Sequence, residues 1–153
     1  HVALRLNGRG VNVIMFVGPE ERELLAYFRD GVGDRTKVVF EPELRRFAGL
    51  IAACDLFVAC DSGPVHLVCA LRVRTVAIFL HNDFDRWGPP AELARIVYEE
   101  NAVSVDTIFK ACGQELERRD PGVLARERTS AGKLSKEEIK LESEDTQDAR
   151  RVA

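Results

Sequence analysis

Residues 55–67 read Asp55-Leu56-Phe57-Val58-Ala59-Cys60-Asp61-Ser62-Gly63-Pro64-Val65-His66-Leu67. An unbroken apolar run of strand length passes straight into Asp-Ser-Gly-Pro, and a helix begins at once. Asp61 or Ser62 can cap that helix, and Pro64 suits its first turn, where a missing N–H costs nothing. Gly63 has no Cβ, so a ligand can come close to the backbone there. The free N–H groups and the helix dipole then offer a site for an anion such as phosphate or pyrophosphate. His66 falls about one turn further on, on a face that can also point to that site. Two readings follow from these residues: a well-capped helix with no ligand, or a phosphate-type site at a strand's carboxyl end.

The same alternation of strand and helix signals runs outward from the motif. Ala3 to Asn7 reads as a helix turn closed by Gly8, and Val11 to Val17 as a strand ended by Gly18-Pro19. Glu20 to Asp30 carries Leu24, Leu25, Ala26 and Phe28 at helical spacing, with acids in the first turn where the dipole favours them. Lys37 to Phe40 is a short strand. Glu43 to Cys54 is a helix with Leu44, Phe47, Ala48, Leu50 and Ile51 on one face. Leu56 to Cys60 is a strand and Pro64 to Leu71 a short helix. Arg74 to Leu80 is a further strand, and Val103 to Leu116 a closing helix capped by Ser104. Strands that are continuous apolar runs, separated by helices, belong to a parallel sheet covered on both faces. The expected fold is therefore α/β, a doubly wound parallel sheet. Such sheets bind ligands outside the carboxyl ends of their strands. That directs attention to Gly18-Pro19-Glu20-Glu21, Glu41-Pro42, Asp61-Ser62-Gly63 and His81-Asn82-Asp83.

Composition divides the 153 residues at about position 118. Residues 1–118 hold every aromatic side chain and form the expected folded domain. Residues 119–153 hold none, and 16 of these 35 are charged, so they cannot offset their own ordering entropy. They read as a charged extension, disordered or partly helical, with a short amphipathic helix open to Ser135–Leu141. The formal charge of -3 excludes a strongly basic nucleic-acid binder. No apolar run approaches the roughly 18–20 residues that span a bilayer. The start at His1-Val2-Ala3 resembles neither a signal peptide nor a natural beginning, so the chain reads as part of something longer. Cys54, Cys60, Cys69 and Cys112 match no zinc or redox spacing and read as structural thiols in a reducing compartment, the first three buried in apolar runs.

Beside this reading stands a resemblance. The stretch Val11 to Pro90 resembles the nucleotide-sugar-binding half of the family 9 glycosyltransferases, the ADP-heptose:lipopolysaccharide heptosyltransferases. Their pattern is an apolar strand, Asp-Thr/Ser-Gly-Pro-x-His, a helix of small residues, a strand ending near Phe-Gly, and a Trp/Pro loop. The matching parts here are Asp61-Ser62-Gly63-Pro64-Val65-His66, Leu67 to Leu71, Thr75 to Phe79, and Arg86-Trp87-Gly88-Pro89-Pro90. Val17-Gly18-Pro19-Glu20-Glu21 is similar to the family's strand-Gly-x-Glu turn, and Val103 to Leu116 to its closing segment. The chain departs from the pattern at Arg72-Val73-Arg74, where Gly-x-Pro is usual, and at Leu80-His81-Asn82, where Gly-Pro-Thr is usual.

The resemblance implies a Rossmann-like C-terminal half of a GT-B glycosyltransferase. In it Ser62, Gly63, Pro64 and His66 would hold a pyrophosphate, and Asp61 would orient the turn or contact the sugar. Glu20 or Glu21, after Gly18, would bind the ribose. The implied reaction is inverting transfer of a sugar, with ADP-heptose as donor and the lipopolysaccharide core as acceptor. It implies no cofactor and no metal, the ADP-sugar being a substrate, and a general base on a preceding N-terminal domain that these residues lack. It also implies a cytoplasmic enzyme, peripheral at the inner face of the inner membrane, without a transmembrane segment and without nucleic acid. Two alternatives share the architecture: a non-catalytic nucleotide-binding module, and a UDP-sugar 2-epimerase-like domain.

Other candidates carry less. Gly8-Arg9-Gly10 precedes its strand and lacks the third glycine of a dinucleotide turn, and Gly31-Val32-Gly33 sits where turn chemistry explains both glycines. Ser62 and His66 lack the Gly-x-Ser-x-Gly surroundings of a hydrolase nucleophile. His81-Asn82-Asp83-Phe84-Asp85 reads as a solvated turn rather than a metal loop, and Trp87 as a core plug rather than a pocket wall. Arg45-Arg46 and Arg72 with Arg74 read as solvated faces.

Overall fold

The computed structural model describes residues 1–33 and 35–118. The expected charged extension at 119–153 lies outside them. His1–Arg118 form one compact unit. Its elements are α1 (Val2–Gly8), β1 (Val13–Val17), a 3-10 helix (Pro19–Leu24) running into α2 (Leu25–Gly31), β2 (Thr36–Phe40), α3 (Leu44–Ala52), β3 (Phe57–Cys60), α4 (Gly63–Ala70), β4 (Thr75–Phe79), α5 (Phe84–Trp87), β5 (Ala94–Tyr98) and α6 (Val105–Glu117).

All strand pairings are parallel, as the apolar runs require, but hydrogen bonding divides them into two sheets. β1 pairs with β2, Val13 opposite Thr36, and β3-β4-β5 form the other sheet, with Phe57 opposite Thr75 and Thr75 opposite Ala94. The single continuous sheet expected from sequence is thus divided between β1 and β3. Side chains close that seam: the Phe16 ring of β1 meets Phe57 of β3 at 6.3 Å and Phe47 of α3 edge-on at 5.0 Å. The two sheets thus succeed one another as 2-1 and 3-4-5, met through side chains and not through hydrogen bonds, and the direction of succession reverses between β1 and β3.

Helices cover both faces. On one, Leu6 of α1 and Phe109, Ala111 and Cys112 of α6 pack on Val76 and Val97. On the other, Val65 and Cys69 of α4 pack on Ala77, Phe79 and Ala94, with Ile51 of α3 and Val68 of α4 closing over Phe57. β4 is the centre of this arrangement, and Thr75, Val76, Ala77 and Phe79 are all buried. Burying a side chain the size of Phe79 contributes about 2–3 kcal/mol, so one strand supplies a large part of the core. The Thr75 hydroxyl, fully buried, donates to the Val73 carbonyl at 3.0 Å and so escapes the penalty of an unpaired polar group.

Loops and ends depart from the sequence reading in instructive ways. The segment expected as one helix from Glu20 opens as a 3-10 turn, and neither it nor α2 buries a residue. Leu24 and Tyr27 stand in solvent. β5, an edge strand, was not anticipated, and neither was α5. α4 ends in a Schellman turn: the Arg72 N–H donates to the Cys69 carbonyl and the Val73 N–H to the Val68 carbonyl. Arg72 takes φ 55° there, a left-handed conformation that glycine adopts freely and other residues adopt only under strain. Arg74 is not a solvated face, because its guanidinium donates to the carbonyls of Glu115 and Arg118 and closes the end of α6. Nearby, the buried Glu115 carboxylate accepts from Arg95 at 2.8 Å and lies 3.5 Å from Arg118.

Candidate nucleotide-diphosphate site at the start of α4

The motif sits where the sequence predicted, at the carboxyl end of β3. The β3–β4 pairing continues to its first residue, since the Asp61 N–H donates to the Ile78 carbonyl at 2.9 Å. Asp61, Ser62, Gly63 and His66 are exposed, while Pro64 is half-buried and Val65 anchors the helix in the core.

One detail of the helix start differs from expectation. Ser62 occupies the cap position in extended backbone, φ -168°, yet neither it nor Asp61 caps the helix with its side chain. The Ser62 hydroxyl turns back and donates to the Cys60 carbonyl at 2.9 Å. α1 and α2 likewise start without a side-chain cap, whereas the two longer helices have one. Glu43 accepts from the Arg45 and Arg46 amides at the start of α3, and Ser104 from the Thr107 amide at the start of α6. Pro64 has no N–H and the Val65 N–H donates to the Ser62 carbonyl at 3.1 Å, so the Gly63 amide is the one in this first turn left without a side-chain acceptor, and a bound oxyanion can complete a helix end of this kind. A Cβ at Gly63 would meet nothing within 4 Å, so packing does not demand the glycine. Its open side is available to a ligand.

The second expected group stands at the carboxyl end of β1. Gly18 precedes the 3-10 helix, whose first turn carries Glu20 and Glu21, both exposed. Glu21 folds back over Gly18, one carboxylate oxygen standing 2.5 Å from where a Gly18 Cβ would be. No hydrogen bond or ion pair joins this turn to Asp61–His66 among the described residues. What relates the two is topology: both follow strand carboxyl ends on either side of the β1/β3 reversal, the place where open parallel sheets take ligands.

Around the motif, several side chains correct the sequence reading. Cys60 is exposed rather than buried, because it is the last residue of β3 and no helix covers it. The other cysteines are partly or fully buried, and burial pushes the Cys112 thiol from 9.0 up to about 11. Trp87 is 51% exposed, so it is no core plug; the Arg86 guanidinium lies 4.9 Å from its ring centre. Gly88 beside it carries the close approach, since a Cβ there would stand 2.2 Å from the Phe84 carbonyl oxygen. Leu80, next after β4, is 62% exposed.

A shallow concave surface lies elsewhere, between β5 and α6. This open cleft of about 370 Å³ is lined by Arg95, Tyr98, Glu99, Thr107, Lys110 and Gln114, among others. Its acid is already occupied: Glu99 accepts from the Thr107 hydroxyl and from the Ser104 amide, which hold its carboxyl below the usual range. The cleft thus serves the start of α6, and sequence reasoning missed it together with β5. The β-branched and aromatic residues of Ile96-Val97-Tyr98 were the available signal. No group of three metal-ligating side chains occurs among the described residues, and no described helix is long and apolar enough to cross a membrane.

Comparison with known proteins bears on the family and the fold. The family model described as glycosyltransferase family 9 (heptosyltransferase) matches residues 1–111. Lipooligosaccharide heptosyltransferase 2 of Campylobacter jejuni is 47% identical over 49 residues, which cover 31% of this chain and 15% of that protein. A putative glycosyltransferase of Haemophilus influenzae is 30% identical over 83 residues, covering 51% of this chain and 24% of that one. The crystal structure of a family 9 glycosyl transferase from Veillonella parvula superposes with a TM-score of 0.67 at 22% identity, over 76% of this chain and 39% of that chain. The chain thus matches less than half of the length of each of these proteins, and the last likeness shows the shared fold. With its parallel α/β architecture and a family match extending through most of the described unit, the chain belongs to glycosyltransferase family 9.

Proposed function

We propose that the chain binds a nucleotide-diphosphate sugar at the start of α4 and supplies the donor half of an inverting glycosyltransferase. ADP-heptose is the proposed donor and the lipopolysaccharide core the proposed acceptor. The observation that carries this reading is the α4 terminus, which lacks a side-chain cap and presents an open glycine at the carboxyl end of β3. In this reading the backbone at Ser62 and Gly63, with His66, holds the pyrophosphate; Pro64 fixes the helix start. Glu20 or Glu21 takes the ribose after Gly18, and Asp61 orients the turn or meets the sugar. Oriented donors stabilise the charge that develops on the departing diphosphate, commonly the largest catalytic contribution, and here they would act without a metal. The acceptor and the general base belong to a domain outside these residues. The 153-residue chain alone would therefore hold a donor without completing transfer. The whole enzyme would work in the cytoplasm at the inner face of the inner membrane.

The test is calorimetric titration of the chain with ADP, ADP-heptose, UDP and a UDP-sugar, repeated on Gly63→Val. ADP-heptose should bind more tightly than ADP, and UDP ligands more weakly. Gly63→Val should lose at least about ten-fold in affinity (about 1.4 kcal/mol) while keeping its melting temperature, because a Cβ there meets nothing within 4 Å. Equal binding of ADP and ADP-heptose would favour a module without catalysis, and preference for UDP ligands an epimerase-like domain. No binding at millimolar ligand by folded protein would overturn the reading.

A further inference from the structure

We propose that Leu80 is a specificity-determining residue for the transferred sugar, packing against a C–H face of its ring. The inference rests on the donor site described above and adds the end of the donor that the motif leaves unassigned. Cys60 pairs with Ile78, so the positions that follow by the same step on the two strands are Ser62 and Leu80. The hydrogen bond from the Asp61 N–H to the Ile78 carbonyl keeps the strands together up to that point. Leu80 therefore stands on the β4 flank of the α4 start, whereas Glu20 and Glu21 stand on the β1 flank. A nucleotide sugar is a linear arrangement of nucleoside, pyrophosphate and sugar. With pyrophosphate on α4 and ribose toward β1, the sugar extends toward β4.

What it meets there is uneven in polarity. Phe79 is fully buried, and the chain then places Leu80 in solvent at 62% exposure, followed by the exposed polar residues His81, Asn82 and Asp83. The core has no use for this leucine, so its apolar surface is free to be covered by ligand. A pyranose ring offers a matching surface where axial C–H groups line one face, and its hydroxyls can pair with the polar residues beside it. A sugar that turns a hydroxyl onto Leu80 leaves that hydroxyl without a partner, which disfavours it. Leu80 would in this way read ring stereochemistry, while the nucleotide is held by other groups.

The experiment compares the chain with Leu80→Ser and Leu80→Met, measuring affinity for ADP and for ADP-heptose by calorimetry, with a thermal melt of each variant. Leu80→Ser should weaken ADP-heptose about five- to ten-fold, as expected for an apolar contact of part of a leucine, and leave ADP unchanged. Leu80→Met, which keeps the apolar surface, should restore most of the loss. Parallel weakening of both ligands, or no change in either, would overturn the role of Leu80 while leaving the donor site standing. Failure of the unsubstituted chain to bind either ligand would overturn both together.

Discussion

At the scale of single residues, the molecule separates glycines and their substitutes by what the backbone asks of them. Arg72 occupies the left-handed position that ends α4, and both Schellman hydrogen bonds are present despite the side chain. Tertiary context, chiefly the buried Val73 that follows, holds it there. Removing its Cβ relieves the local strain, so Arg72→Gly should stabilise the protein by about 1 kcal/mol, read from chemical denaturation; no gain would mean that the strain is absent. The departure from the family's glycine at this position was legible in the sequence. Its conformational consequence was not, because a residue's φ is set by the turn it must close. Ser62 shows the same limit. Its type and place predict a helix cap, but a hydroxyl can also bond backward, and here it donates to Cys60.

At the scale of elements, the strands were readable wherever burial on both faces made them uniformly apolar. β3 and β4 emerge within a residue or two of their sequence limits for this reason. β5 escaped because it is an edge strand: Arg95 interrupts its apolar run, and its ion pair with Glu115 depends on α6, twenty positions away in the chain. The connection between β4 and β5 was likewise read through Trp87, whereas its packing depends on Phe84 and Gly88. Phe84 meets Phe79 and Tyr98 at ring distances of 6.1 and 5.5 Å, and the Gly88 amide donates to the Phe84 carbonyl at 2.7 Å. Because a Cβ at Gly88 would collide with that carbonyl and with Ile96, Gly88→Ala should cost about 1–3 kcal/mol. A denaturation midpoint unchanged by Gly88→Ala would show that the turn yields easily. Gly63→Ala serves as the control, since its Cβ enters open space.

At the scale of the whole molecule, the succession of strands 2-1 and 3-4-5 turns local motifs into one candidate site. Two strand-end turns, Gly18–Glu21 and Asp61–His66, and the parallel fold were readable in the sequence; the packing of Phe16 on Phe57, which relates their strands, was not. Concavity alone would direct attention to the β5–α6 cleft, where Arg95 and Glu99 are already engaged within the protein. Backbone-amide NMR during an ADP titration tells these two places on the surface apart. If ADP binds at the α4 start, the largest shifts fall on Gly63, Val65 and His66, with smaller ones at Gly18–Glu21. Shifts centred on Tyr98, Glu99 and Lys110 instead, with the α4 amides unmoved, would contradict it.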